Sequence, residues 1–329
     1  MRTSSPRLSA RLLSKDAPVL ALIAPPRLAR FRELAGISED DVIGADFTGW
    51  SKLVLLTTDL AVLFPRDHTQ VEALEREVEA LCALEPVGLP EVPDIVAVWD
   101  DRALSAHPVV AVRRLPGSML DHVVEDIDSD ALAGVLDQVM TLAARWHQAD
   151  PGVLASRPRR AHPKQARVDA LLAAEGTELR DAAVEVAARL GLPRPQQHRL
   201  EAVLERARAL EPVLVHGDLH EGQILVDGDL RVTGILDWQT ARVAHPFTEL
   251  DLGEWGTAAW RGHRPRFPQL RRRAWTTYTA ARGLDTDLED VFEAFWSVVH
   301  ALRWPESVHV GSAVTGTFDE AMDAVRAAL

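Results

Sequence analysis

The sequence predicts an α+β chain in two lobes, with a small strand-rich N-terminal part and a larger helical C-terminal part. Three observations carry this. Short apolar runs of strand length cluster before residue 113, and helical periodicity dominates after residue 117. Six of the nine tryptophans fall from Trp238 onward, which places the larger core C-terminally. A chain of 329 residues has room for about two domains or one two-lobed domain. With 47% hydrophobic and 26% charged residues it has a globular composition.

The elements follow in order. Residues 1–40 read as an N-terminal extension with a short helix over 26–34. Leu53 to Leu56 and Leu60 to Phe64 are strand runs joined by the turn Thr57-Thr58-Asp59, a hairpin that Pro65 ends. Over 69–84, Val71, Leu74, Val78 and Leu81 recur at spacings of three and four, which predicts a helix with one buried face. Glu77 lies on that stripe, and an inward carboxylate needs a partner. Segments 95–99 and 109–112 are strand-like. Arg113-Arg114-Leu115-Pro116-Gly117 then breaks the pattern, dividing a lobe 1–115 from a lobe 116–329. Helices are expected over 130–149, 166–190, 195–210, 271–282, 287–303 and 318–329, with a Pro- and Arg-rich loop over 151–163.

Net charge bounds the partners. With 36 basic and 49 acidic residues the chain carries −13, which disfavours nucleic acid and anionic membrane surfaces and suits cationic ligands. Cys82 is the sole cysteine, so neither an internal disulfide nor a cysteine zinc cage can form. Its place on an apolar helical stripe predicts a core position. No apolar run reaches the ~20 residues needed to span a bilayer. The run 17–24 is a poor signal sequence, and the expected setting is the cytoplasm.

One stretch stands apart, from Val213 through His216-Gly217-Asp218-Leu219-His220-Glu221-Gly222-Gln223 to Asp227. An apolar run enters a polar loop and leaves through another apolar run. Asp227-Gly228-Asp229 turns the chain into a strand over 230–236 that delivers Asp237. Phosphoryl transfer assisted by a metal needs a proton acceptor near the attacking hydroxyl and hard oxygen ligands for Mg²⁺. Asp218 can take the proton, and Gln223 and Asp237 offer an amide oxygen and a charged oxygen. Two other readings of the loop stand beside this one. His216-x-Asp218-x-His220 could ligate a transition metal, or both histidines could hydrogen-bond the backbone of a tight loop.

The run His216 to Leu225, with Gly234-Ile235-Leu236-Asp237-Trp238, resembles the aminoglycoside/macrolide phosphotransferase and choline-kinase-like family of small-molecule kinases. Its pattern is roughly H-G-D-[LF]-H-x-x-N-[IL]-[LI], a hairpin, then I-D-[WF]. The resemblance implies a protein-kinase-like fold and transfer of the γ-phosphate of ATP or GTP to a hydroxyl. It implies Asp218 as the catalytic base, Mg²⁺ on Gln223 and Asp237, and His216 and His220 as supports of the loop. Gly49 and Ser51 fall where the nucleotide-covering loop belongs, and Glu77 where the helix glutamate belongs. His147 ends a helix as in the family's L-H. Pro246 and Asp251-Leu252 look like P-x-x-D-L with two extra residues, which gives Asp251 the task of bracing the catalytic loop. Backbone near 112–114 would hold the base.

Three departures stand out. Gln223 replaces the family's asparagine and is one methylene longer. The nucleotide loop has a single glycine, Gly49, followed by Trp50. The strand position that normally carries a lysine or arginine is Leu63. A leucine cannot neutralise phosphate, so Lys52, on the preceding strand, is the expected substitute, with Arg66 as runner-up. Leu63 and Gln223 also motivate a different reading, a kinase-fold binding or regulatory protein with little turnover. A metabolic kinase acting on an amino alcohol or sugar is a third. On the acceptor side, the late acids Glu249, Asp251, Glu254, Asp285, Asp287, Glu289, Asp290 and Glu293 would favour a cationic acceptor, with Glu254 the pocket candidate. Trp238, Trp255 and Trp260 are expected in the core or against a ring.

Overall fold

The computed structural model describes residues 25–38, 41–46, 51–155, 194–249 and 266–284, and 181, 184, 187, 188, 263 and 288 singly. The α+β composition is present. The expected helices over 166–190, 287–303 and 318–329 and the apolar run 17–24 lie outside the described residues, apart from the single positions. The chain divides into two compact units, Met1–Gly117 with Thr233–Thr240, and Ser118–Val232 with Ala241–Leu329.

In the first unit, helix α1 (Pro25–Ala35) precedes strands β1 (Val42–Asp46), β2 (Lys52–Thr57) and β3 (Leu60–Pro65). Helix α2 (Val71–Leu84) and strands β4 (Ile95–Trp99) and β5 (Val109–Arg113) complete it. The sheet is antiparallel throughout, in the order β1-β2-β3-β5-β4. The β2–β3 register pairs Val54 with Leu63 and Lys52 with Pro65. Side chains alternate between faces along a strand. Leu55, Val62, Val109 and Ala111 therefore share one face, where they cluster with Phe31 of α1. Lys52, Val54, Leu63 and Val110 share the other.

The buried face of α2 differs from the expected stripe. Leu74, Glu77, Ala80, Leu81 and Leu84 are buried, whereas Val71 and Val78 are half-buried. Cys82 is exposed rather than in the core. At roughly 100° per residue it points away from the face centred on Leu74, Glu77 and Leu81. Loss of solvation, and then Glu85 and Glu79, push its thiol pKa up, which keeps it protonated and unreactive.

The second unit begins with β6 (Ser118–Met119) and the long helix α3 (Ser129–Trp146), followed by the single turn α4 (Gly152–Ala155) and helix α5 (Arg194–Arg208). Strands β7 (Val213–Val215) and β8 (Ile224–Val226) flank the polar loop. Chain order continues through β9 (Val232–Ile235), β10 (Arg242–Ala244) and helix α6 (Phe267–Arg282). β7 pairs antiparallel with β10, Val215 opposite Arg242, and β6 pairs with β8. α3 ends at Trp146, three residues before the expected boundary, because His147 is its C-cap. It packs along α6, and Trp146, Trp275 and Tyr278 are fully buried. Among the described residues no helix is long and apolar enough to cross a membrane.

Candidate active site

The first unit brings together three of the expected residues. Lys52, at the start of β2, donates from Nζ to Glu77 Oε2 of α2 and, at 2.8 Å, to Asp237 Oδ1. Leu63 is buried on the same sheet face, one strand over. A cation thus stands on the neighbouring strand, on the sheet face where β3 carries Leu63. Burial alone would lower the Lys52 pKa. The two carboxylates outweigh it and hold it above the ordinary lysine value, so Lys52 is cationic. Burial pushes Glu77 up while Lys52 draws it back down.

Asp237 has φ of 66°, a left-handed conformation that non-glycine residues adopt at a cost. Its geometry is held by neighbours. Trp238 is buried and donates from Nε1 to Ile235 O at 3.0 Å, and its backbone N–H bonds to Glu77. Gln239 Nε2 donates to Asp237 Oδ2 at 3.3 Å. Ser51 is half-buried, and its carbonyl accepts from Arg66 N at 3.0 Å. The Arg66 residue is exposed. Gly49 and Trp50 lie outside the described residues.

The second unit assembles the loop that carries Asp218. Gly217 has φ of 85°, which suits a residue without a Cβ. His216 is fully buried, and its Nδ1 accepts from Asp218 N at 3.3 Å. His220 Nδ1 accepts from Gly222 N at 3.0 Å. A Cβ at position 222 would come within 2.9 Å of the His220 ring, so glycine is required there. A backbone N–H only donates, so both Nδ1 atoms act as acceptors and each ring's proton is on Nε2. His220 Nε2 lies 3.2 Å from the amide end of Gln223. Gln223 Nε2 is the amide atom placed there, and because that proton needs an acceptor, the amide oxygen belongs in its place. The histidines serve the loop itself. Among the described residues no group of three His, Cys, Asp or Glu side chains is placed to hold a metal ion.

Glu249 braces this loop and was not foreseen in that role. It is buried, and its carboxylate accepts from His216 N at 2.5 Å, Gly217 N at 3.4 Å and Trp146 Nε1 at 3.3 Å. His147 Nε2 lies 3.4 Å away. Burial alone would raise its pKa, but the bond from His147 and the loop donors hold it below the ordinary carboxylate range. Glu249 is thus a loop brace and not an acceptor-attracting surface acid. Asp251, expected to brace the loop, lies outside the described residues, as do Glu254, Trp255 and Trp260. The signal was present in the ungapped spacing Pro246-Phe247-Thr248-Glu249-Leu250, which fits the motif with glutamate for aspartate. Arg242, also unforeseen, reaches Gly217 O at 3.4 Å.

For a divalent cation the donor chemistry fits. Asp237 already meets a cationic nitrogen through one oxygen. An amide oxygen has two lone pairs, so Gln223 can accept from His220 and retain one. Hard oxygens of this kind suit Mg²⁺.

Comparison with known proteins agrees with the motifs. The model of the phosphotransferase enzyme family (APH) matches residues 47–288. A segment of 39 residues is 61% identical to the uncharacterized protein YcbJ of Bacillus subtilis (strain 168), covering 12% of this chain and 13% of that protein's length. ADP-bound aminoglycoside phosphotransferase APH(2'')-Ib superposes with a TM-score of 0.51 at 12% identity, over 91% of this chain and 97% of that one. The gentamicin complex of APH(2'')-IIa gives 0.52 at 12% identity, over 92% and 96%. At these identities the likeness is one of fold.

Proposed function

The chain belongs to the phosphotransferase enzyme family, and on that premise we propose that it moves the γ-phosphate of ATP or GTP to a hydroxyl of a small molecule. The acceptor class is that of the antibiotic phosphotransferases. The observation that carries the proposal is the convergence of Lys52 on Glu77 and Asp237, a buried cation poised for phosphate oxygens beside a carboxylate in a strained backbone conformation.

Each residue has a task. Lys52, oriented by Glu77, binds the α- and β-phosphates. Gly49 and Ser51 would serve the phosphates, and backbone near 112–114 would hold the base. Asp218 accepts the hydroxyl proton as the acceptor oxygen bonds to the γ-phosphorus and the bond to the β,γ-bridging oxygen breaks, releasing ADP or GDP. His216, His220 and Glu249 fix the Asp218 loop. Gln223 and Asp237 would hold Mg²⁺, which when bound supplies charge neutralisation on the phosphates. The unit with Lys52 takes nucleotide, and the unit with Asp218 takes the acceptor. Net charge of −13 favours a cationic acceptor, and the relatives bound to ADP and to gentamicin are consistent with both substrates. The expected setting is the cytoplasm, where both nucleotides and Mg²⁺ are available.

A second reading, a nucleotide-binding protein with little turnover, is favoured by Leu63, buried where a cation is expected. The two are separated by a transfer screen with labelled ATP and GTP against aminoglycosides, macrolides, tuberactinomycin-type peptides and amino alcohols. The kinase reading expects Mg²⁺-dependent transfer that Asp218→Ala lowers about 10²–10⁴-fold. Nucleotide binding without turnover across the panel, or wild-type transfer by Asp218→Ala, would overturn it.

A further inference from the structure

Behind the Asp218 loop lies a buried chain of hydrogen bonds whose direction the chemistry fixes. His147, at the C-cap of α3, has a fully buried side chain. Its two ring nitrogens meet different partners. Nε2 faces Glu249 Oε2 at 3.4 Å, and Nδ1 faces the Tyr278 hydroxyl of α6 at 2.7 Å. Burial lowers the His147 pKa, so the ring is neutral and carries one proton. An ionised carboxylate only accepts. The proton therefore sits on Nε2 and points at Glu249, and Nδ1 accepts from Tyr278 Oη–H. The opposite tautomer would set a lone pair against the carboxylate in a buried site, where repulsion is poorly screened. Glu249 passes this orientation on by accepting from the backbone N–H groups of His216 and Gly217, the two residues before Asp218.

We propose that Tyr278 and His147 are positioning residues for phosphoryl transfer. The Glu249 carboxylate fixes the His147 tautomer, the Tyr278 hydroxyl holds the ring through Nδ1, and Glu249, held in turn by His147, sets the backbone that presents Asp218. The claim rests on the reading of Asp218 as the base. Tyr278 is wholly buried and stacked on Trp275 at 5.5 Å, so Tyr278→Phe removes the hydroxyl and leaves the packing.

Two measurements test the relay. In the ¹⁵N-histidine-labelled full chain, with His147 identified by the signal lost in His147→Gln, the wild type is expected wholly in the Nε2–H form. Tyr278→Phe is expected to keep the Nε2–H form, to shift the Nδ1 resonance that has lost its donor, and to shift the amide resonances of Gly217 and Asp218. In the transfer assay Tyr278→Phe is expected to lower kcat about tenfold and to change the nucleotide KM less than twofold. An Nδ1–H tautomer in the wild type overturns the proposal even if the variant does not fold. Unchanged kcat in a folded variant overturns it too. If no acceptor turns over, the kinase reading has failed separately, and unmoved Gly217 and Asp218 amides still overturn the relay.

Discussion

Lys52 sits between Glu77 and Asp237 with its side chain 12% exposed, and that burial decides what its removal does. Lys52→Ala strands the Glu77 carboxylate without its cation, and breaking a buried pair from one side costs about 3–5 kcal/mol. The same change removes the charge offered to phosphate. Lys52→Ala is expected to weaken ATP or GTP binding at least tenfold, about 1.4 kcal/mol, by titration calorimetry. Lys52→Met with Glu77→Leu separates the two effects, recovering stability but not nucleotide affinity. Wild-type affinity in Lys52→Ala would move the role to Arg66. The Lys52–Glu77 pair was legible in the sequence because Leu63 left a cation missing and adjacent antiparallel strands share faces. Glu249 was not, because the motif's acid is an aspartate, and the glutamate at the ungapped spacing after Pro246 departs from it. Tyr278 carries no motif, and its task exists only where α6 meets the end of α3.

Helix α3 places His147, so the ends of that helix matter to the site. Asp128 caps its start, its Oδ1 accepting from Asp130 N at 3.0 Å and Ala131 N at 2.7 Å. These bonds satisfy two N–H groups that have no partner inside the helix. Asp128→Ala is expected to cost about 1 kcal/mol, read as a lower urea midpoint, with Asp128→Asn recovering most of it. An unchanged midpoint would mean that the packing of α3 on α6 holds the first turn unaided. Helix existence was legible here from Leu132, Val135, Leu136 and Val139, because a period near 3.6 demands one apolar face. The rotation of a helix is less legible. In α2 the apolar pattern alone put Val78 inward, but Glu77 takes the centre of the face because Lys52 reaches it from β2.

For the whole molecule, buried neutral histidines make stability depend on pH. His245 donates from Nε2 to Ala207 O at 2.6 Å and accepts at Nδ1 from Phe247 N at 3.2 Å. Burial lowers its pKa from 6.5 to about 4. Between these values the unfolded chain binds a proton that the native chain refuses, so stability is fully present above pH 6.5 and falls as the medium is acidified. The slope is about 1.4 kcal/mol per pH unit for one such group, which totals roughly 3 kcal/mol across the window. His147, also lowered by burial, acts in the same direction. The net charge of −13 opposes this, because acid relieves self-repulsion. That effect is spread over exposed charges, which salt screens beyond about 8 Å at physiological strength, so the buried groups dominate. Urea midpoints at 0.15 M salt are expected to fall steadily from pH 7 to pH 5. His245→Gln is expected to be less stable at pH 7 yet to lose less on acidification, its slope shallower by about 1.4 kcal/mol per unit. A wild-type midpoint that is flat or rises over that range would show that the imidazole is already charged in the fold, or that the repulsion is the larger force.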